Sequence, residues 1–130
     1  MNTKTDRRPM SPYLIGPYYK PQLTSMLSIA SRLTGVFLTA VSTPLILWWC
    51  VALAIGPDAF ATVQGFMGSF IGKPLVLISL LFLCYHLMNG IRHLVWDTCH
   101  FLELENVYRT GWAMLAASFA LFLLAWWAAS

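Results

Sequence analysis

An all-α membrane protein of three transmembrane helices is the fold class this sequence predicts, and three observations predict it. The 130-residue chain is 58% apolar and only 10% charged, whereas a soluble domain carries about 25% charge. Predominantly apolar runs cover residues 33–55, 75–96 and 112–129, and roughly 20 such residues cross a hydrocarbon core of about 30 Å. None of the runs alternates with the two-residue period of a barrel strand. Backbone groups in lipid must be satisfied within a segment or a closed barrel, so the runs read as helices.

With helical ends included, the spans are expected at about 25–55, 74–97 and 110–129. Together they form one transmembrane domain over 25–130, behind an N-terminal segment 1–24. The first run starts too far into the chain, and lacks the small-residue cleavage site, to be a secretory signal, so it reads as a retained span. Thr24 or Ser25 is the expected N-cap. Gly56 and Pro57 follow the first run, Gly72 and Pro74 precede the second, and Gly111 precedes the third, as helix boundary residues do. The first run is apolar without interruption, the third is the shortest, and no repeat or low-complexity tract is present.

Orientation follows from the basic residues. Lys4, Arg7, Arg8, Lys20 and Arg32 precede or open span one, Lys73 stands alone in the first connection, and Arg92 and Arg109 flank the second. Basic residues accumulate on the cytoplasmic side, which puts the N-terminus and the 97–111 connection there. The formal charge of +3 thus reports topology. Dispersed over juxtamembrane segments, it forms no dense patch for nucleic acid. Trp96 and Trp112 fall at the expected inner interface and Trp48, Trp49, Trp126 and Trp127 near the outer one. Cys50, Cys84 and Cys99 contain no C-x-x-C pair, so they offer no covalent haem attachment and read as small buried hydrophobes.

Two stretches carry polar chemistry at membrane depth. In YHLMNGIRHLVWD, residues 85–97, His86 and His93 lie about 20° apart on one helix face and roughly 10 Å apart along the axis. Gly90 lies near that face and leaves room for a flat ligand or a second helix. His86 is about 15 Å in from Trp96, close to the midplane. An ionisable group there marks a cofactor, a relay or a packing bond, so three readings stay open: axial ligand to haem iron, proton relay, or hydrogen bond to a neighbouring helix. His93 reads either as a wet interfacial residue or as a contact for a haem propionate. In TSMLSIASRLTGV, residues 24–36, Ser28 and Arg32 stand at i, i+4 with Ser31 beside them and Gly35 seven residues after Ser28. A hydroxyl and a guanidinium there can hydrogen-bond the carbonyls of a lipophilic quinone. A capping serine followed by a snorkelling, topology-setting arginine is the alternative. A transporter would need polar residues running across the bilayer, and span one offers little beyond Thr39, Ser42 and Thr43.

These stretches, with RRPMSPYL at 7–14, resemble in order and spacing the cytochrome b556 membrane anchors of succinate dehydrogenase, the succinate:quinone oxidoreductase also known as respiratory complex II. The resemblance covers most of the chain, and the third span matches only in hydropathy. It implies one half of a heterodimeric haem-binding membrane bundle. The implied partners are a second small membrane-anchor subunit, an iron–sulfur subunit, a flavoprotein subunit and membrane lipid. His86 matches the family's axial ligand to haem b, the second ligand coming from the partner anchor. Ser28 and Arg32 match its quinone-site serine and arginine, for ubiquinone or another quinone. Arg32 also lies where the family's arginine approaches a haem propionate, and Ser31 at a position associated with the propionate, while His93 is a propionate candidate from its helix position alone. Two positions depart from the pattern: the family often has histidine where this chain has Ser31 and Tyr13. The implied function is passage of electrons from succinate to quinone at a bacterial cytoplasmic membrane, with succinate oxidised in another subunit. An anchor of a fumarate reductase working in reverse and a haem-free structural anchor are the alternatives, and the chain lacks the Arg- and Ser-rich presequence of a mitochondrial precursor.

Overall fold

The structure is a computed structural model and describes residues 21–100 and 103–129. Helix α1 spans Leu23–Phe37 and passes through a widened turn, Leu38–Ser42, into α2, Thr43–Ile55. Helices α3, Pro57–Met67, α4, Gly72–Asp97, and α5, Leu104–Ala129, follow, and no strand occurs among the described residues. Three rods, Leu23–Ile55, Gly72–Asp97 and Glu105–Ala129, are long and apolar enough to cross a membrane.

The first rod starts two residues before its expected boundary. Gln22, in an extended conformation, is its N-cap and makes no side-chain cap bond, so neither Thr24 nor Ser25 caps it. The Gln22 carbonyl accepts the first intrahelical bond, from Met26 N–H at 3.1 Å. The rod is also less regular than its apolarity predicts. Pro44 has no N–H for the carbonyl four residues back, and its ring would collide with that carbonyl. The ladder widens to accommodate it: the Thr43 N–H bonds the Leu38 carbonyl, and the Thr43 hydroxyl donates to the same oxygen at 3.0 Å. A π-type turn of this kind is a recognised cause of local helix distortion.

Helix α3 was not expected from the sequence, which reads 57–73 as a connection. Gly56, at φ 142°, reverses the chain in a conformation that L side chains rarely adopt. Pro57 then sits in the first turn, with Asp58 near the positive end of the helix dipole. Helix α3 doubles back along α2 through Trp49 on Phe60 at 5.8 Å and Trp48 on Phe66 at 5.4 Å. Two of the four tryptophans expected as outer-interface anchors therefore hold this second helix. At Gly72 any Cβ would collide with the Phe66 carbonyl, which explains glycine at the tight entry to α4.

In lipid there is little hydrophobic drive between helices, so small residues and polar bonds hold bundles together. Tyr85 donates its hydroxyl to the Leu27 carbonyl at 2.8 Å, joining α4 to α1, and Ser42 donates to Ser79 at 2.9 Å. Helix α5 is held to α4 by Arg92, whose Nε donates to Thr110 at 3.3 Å and Nη2 to the Val107 carbonyl at 2.9 Å. The guanidinium also lies 4.1 Å from the centre of the Trp96 ring. Gly111 brings α5 against Leu23 and Leu27 of α1. The resulting core is small, centred on Leu27, Tyr85 and Met114, and large apolar residues such as Trp127, Leu94 and Val36 remain exposed. The third rod is not the short one that hydropathy predicts. Helix α5 begins at Leu104, six residues before the expected boundary, because its polar first turn carries Glu105 and the Val107 carbonyl that Arg92 binds. Among the cysteines Cys84 alone is buried; Cys50 and Cys99 are exposed. Cys99, at φ 59°, is the left-handed residue that ends the α4 backbone.

Candidate functional site

His86 projects from the middle of α4 onto α1 and is half-buried. Its Nδ1 lies 3.3 Å from the Thr34 hydroxyl. A Cβ added at Gly35 would come within 3.2 Å of the ring's Cε1, so glycine is what admits the imidazole to the α1 backbone. Nε2 makes no hydrogen bond among the described residues and is not buried. The ring is thus tied by one nitrogen and open at the other. Gly90 is expected to admit a close neighbour, and a Cβ added there would meet nothing among the described residues within 4 Å. That side of α4 is open among the described residues, and the close approach to the histidine is made by Gly35.

Ser28 and Arg32 are both exposed on α1, and neither makes a hydrogen bond or ion pair among the described residues. At 100° per residue Ser28 and Gly35 lie about 20° apart, and Arg32 about 60° from Gly35. They form one flank of α1, and His86 touches that flank at Gly35. The two stretches that the sequence presents separately therefore meet: a hydroxyl, a guanidinium and an imidazole border one side of the bundle. With its polar head groups unspent, this flank can donate hydrogen bonds to a neutral or anionic oxygen and offer one nitrogen lone pair.

Ser31 lies one turn from Thr34 and is half-buried. It accepts a bond from Asn89 Nδ2 at 3.0 Å, which leaves its own hydroxyl proton to donate. Asn89 is 2% exposed, and its Oδ1 is buried with no partner among the described residues, a costly arrangement in a low-dielectric interior. His93 is exposed on the His86 face and meets Trp96 edge-on at 5.2 Å. Arg92, its neighbour, points the other way and is consumed in the α4–α5 contact. No group of three or more His, Cys, Asp or Glu side chains gathers to hold a metal ion among the described residues. Thr34 and Asn89 are the site residues that sequence reasoning overlooked. Thr34 stands immediately before Gly35 and Asn89 three residues after His86, but which α1 residue faces the histidine is a matter of helix pairing.

Comparison with known proteins supplies the context for this site. Residues 4–125 match the family described as succinate dehydrogenase/fumarate reductase transmembrane subunit. The chain is 39% identical over 123 residues to the succinate dehydrogenase cytochrome b560 subunit of Reclinomonas americana, covering 92% of this chain and 84% of the relative. It is 38% identical over 117 residues to the cytochrome b556 subunit of Paracoccus denitrificans, covering 90% and 88%, and 38% identical over 121 residues to that of Rickettsia typhi, covering 93% and 92%. With three membrane-crossing helices and this match along nearly its whole length, the chain belongs to the family of succinate dehydrogenase/fumarate reductase transmembrane subunits.

Proposed function

We propose that this chain is the cytochrome b membrane anchor of a bacterial succinate:quinone oxidoreductase, ligating haem b through His86 and forming part of a quinone-reduction site with Ser28 and Arg32. The observation that carries the reading is the His86 side chain, tied at Nδ1 to Thr34 and open at Nε2 beside Gly35. An imidazole at mid-membrane with one nitrogen open outward fits an axial ligand. The open surface at Gly90, with His86 the one mid-membrane histidine of the chain, fits a prosthetic group shared with a partner anchor. When bound, haem b supplies a one-electron redox centre between the helices. Arg32, the Ser31 hydroxyl and His93 are the residues that would hold its propionates.

The remaining work of the chain is binding and orientation. Ser28 and Arg32 donate to a quinone carbonyl, and the bond from the guanidinium strengthens as negative charge grows on that oxygen. Oxidation of the dicarboxylate belongs to the flavoprotein subunit, reached through the iron–sulfur subunit docked on the same cytoplasmic face. The three relatives named above are subunits of succinate dehydrogenase, which favours succinate oxidation over fumarate reduction.

Affinity purification of the tagged chain from its native membrane tests this reading. A flavoprotein, an iron–sulfur protein and a second small membrane protein are expected to co-purify with a b-type reduced-minus-oxidised spectrum. Recovery of a haem-free chain with none of them would overturn the reading. Orientation is tested by thiol labelling after Cys50 and Cys84 are replaced. A membrane-impermeant maleimide should modify Cys99 in inverted vesicles and not in sealed cells, because seven of the eight basic residues lie with it on one side. Labelling from outside the cell would reverse the topology.

A further inference from the structure

Thr34 is 6% exposed and its hydroxyl has three neighbours. The Ala30 carbonyl lies at 2.8 Å, the Ser31 carbonyl at 3.1 Å and His86 Nδ1 at 3.3 Å. The hydroxyl has one proton to donate, and both carbonyls can only accept. A 2.8 Å oxygen–oxygen contact without a proton between would oppose two lone pairs, so the proton goes to the carbonyls, as threonine in a helix commonly directs it. The Thr34 oxygen then presents a lone pair to His86, and only a protonated Nδ1 satisfies it. The other tautomer would turn the hydroxyl toward His86, forfeit both carbonyl bonds and place the ring proton on Nε2, where it blocks a metal. Gly35 completes the arrangement by letting the ring lie close against the α1 backbone beside that hydroxyl.

We infer that Thr34 is a positioning residue that holds the His86 proton on Nδ1, keeps the Nε2 lone pair available for iron and makes the imidazole a stronger donor. The inference rests on the haem reading given above. A hydrogen-bond acceptor on the distal nitrogen of a metal-bound imidazole raises its basicity, and loss of such a partner weakens metal binding by about 10- to 100-fold.

The test compares Thr34→Val, Thr34→Ser and His86→Leu in the purified complex, reading haem content, haem midpoint potential and the electron paramagnetic resonance g-values of the oxidised haem. Thr34→Val, which keeps shape but removes the acceptor, should raise the potential and loosen the haem by about one to two orders of magnitude. Thr34→Ser should retain wild-type values. Wild-type potential and g-values in Thr34→Val, or equal shifts in Val and Ser, would reduce the contact to packing and overturn the inference. A His86→Leu complex with an unchanged spectrum would overturn the ligation reading beneath it, and the inference with it. If Thr34→Val fails to assemble, electron–nuclear double resonance on the oxidised wild-type complex decides. A hyperfine tensor that places the Nδ1 proton in a hydrogen bond to a hydroxyl oxygen supports the inference, and an Nδ1 proton without that bond overturns it.

Discussion

Replacing His86 by leucine abolishes or reshapes the low-spin b-type spectrum of the assembled complex. Leucine roughly preserves volume and removes the only imidazole that the fold presents at mid-membrane, so no neighbouring side chain of this chain can take over. His93 lies about 10 Å along the same helix toward the cytoplasm and shares its face, but it stands at the exposed end against Trp96. The bundle itself should survive. Thr34 keeps its bonds to the Ala30 and Ser31 carbonyls, and the α1–α4 contact retains Tyr85 on Leu27, with Ser42 still on Ser79 beyond it. The measurement is the reduced-minus-oxidised spectrum of membranes containing equal amounts of wild-type and variant complex. An unchanged spectrum at equal assembly would assign the ligand to another residue. Some quinone reduction can persist in this variant if, as proposed, an iron–sulfur subunit docks beside the quinone site and reduces the quinone directly.

Loss of Ser28 or Arg32 separates quinone chemistry from succinate chemistry. Ser28→Ala and Arg32→Leu should each lower succinate:quinone activity by roughly 10- to 150-fold, the equivalent of the 1.5 to 3 kcal/mol that a bond to a charged group contributes. Oxidation of succinate with a soluble dye that takes electrons upstream should stay near wild type, because the proposed function assigns the dicarboxylate site to another subunit. Neither side chain is committed to a bond among the described residues. Their removal therefore leaves no orphaned partner inside the bundle, and a loss of quinone activity is not explained by misfolding. Equal retention of both activities in both variants would leave the serine without a role and the arginine as a topology determinant.

The architecture was largely legible in the chain because its physical cause is linear. Backbone satisfaction in lipid forces helices, and apolar runs of sufficient length mark them, so three membrane-crossing rods appear close to where hydropathy predicts. Their ends were less legible. The polar first turn of α5 lowers its hydropathy although Arg92 requires that turn for its bond to Val107. Helix α3 is too short and too mixed in character to register as a span, and it becomes evident only once Gly56 reverses the chain and Trp48 and Trp49 find Phe66 and Phe60.

Within the candidate site the division is sharper. Spacing alone places His86, Gly90 and His93 on one face and Ser28, Arg32 and Gly35 on another, because angular position on a helix depends only on residue number. Whether those faces meet depends on how α1 and α4 are paired, a relation between residues some fifty positions apart that no local period encodes. The tertiary structure decided that Gly35 and not Gly90 lies against the histidine, that Thr34 meets its Nδ1, that Ser31 is joined to Asn89, and that Arg92 turns away into the α5 contact. Each is set by distances of a few ångströms between separate helices, which the packing of small residues and buried hydrogen bonds determines and the linear pattern does not.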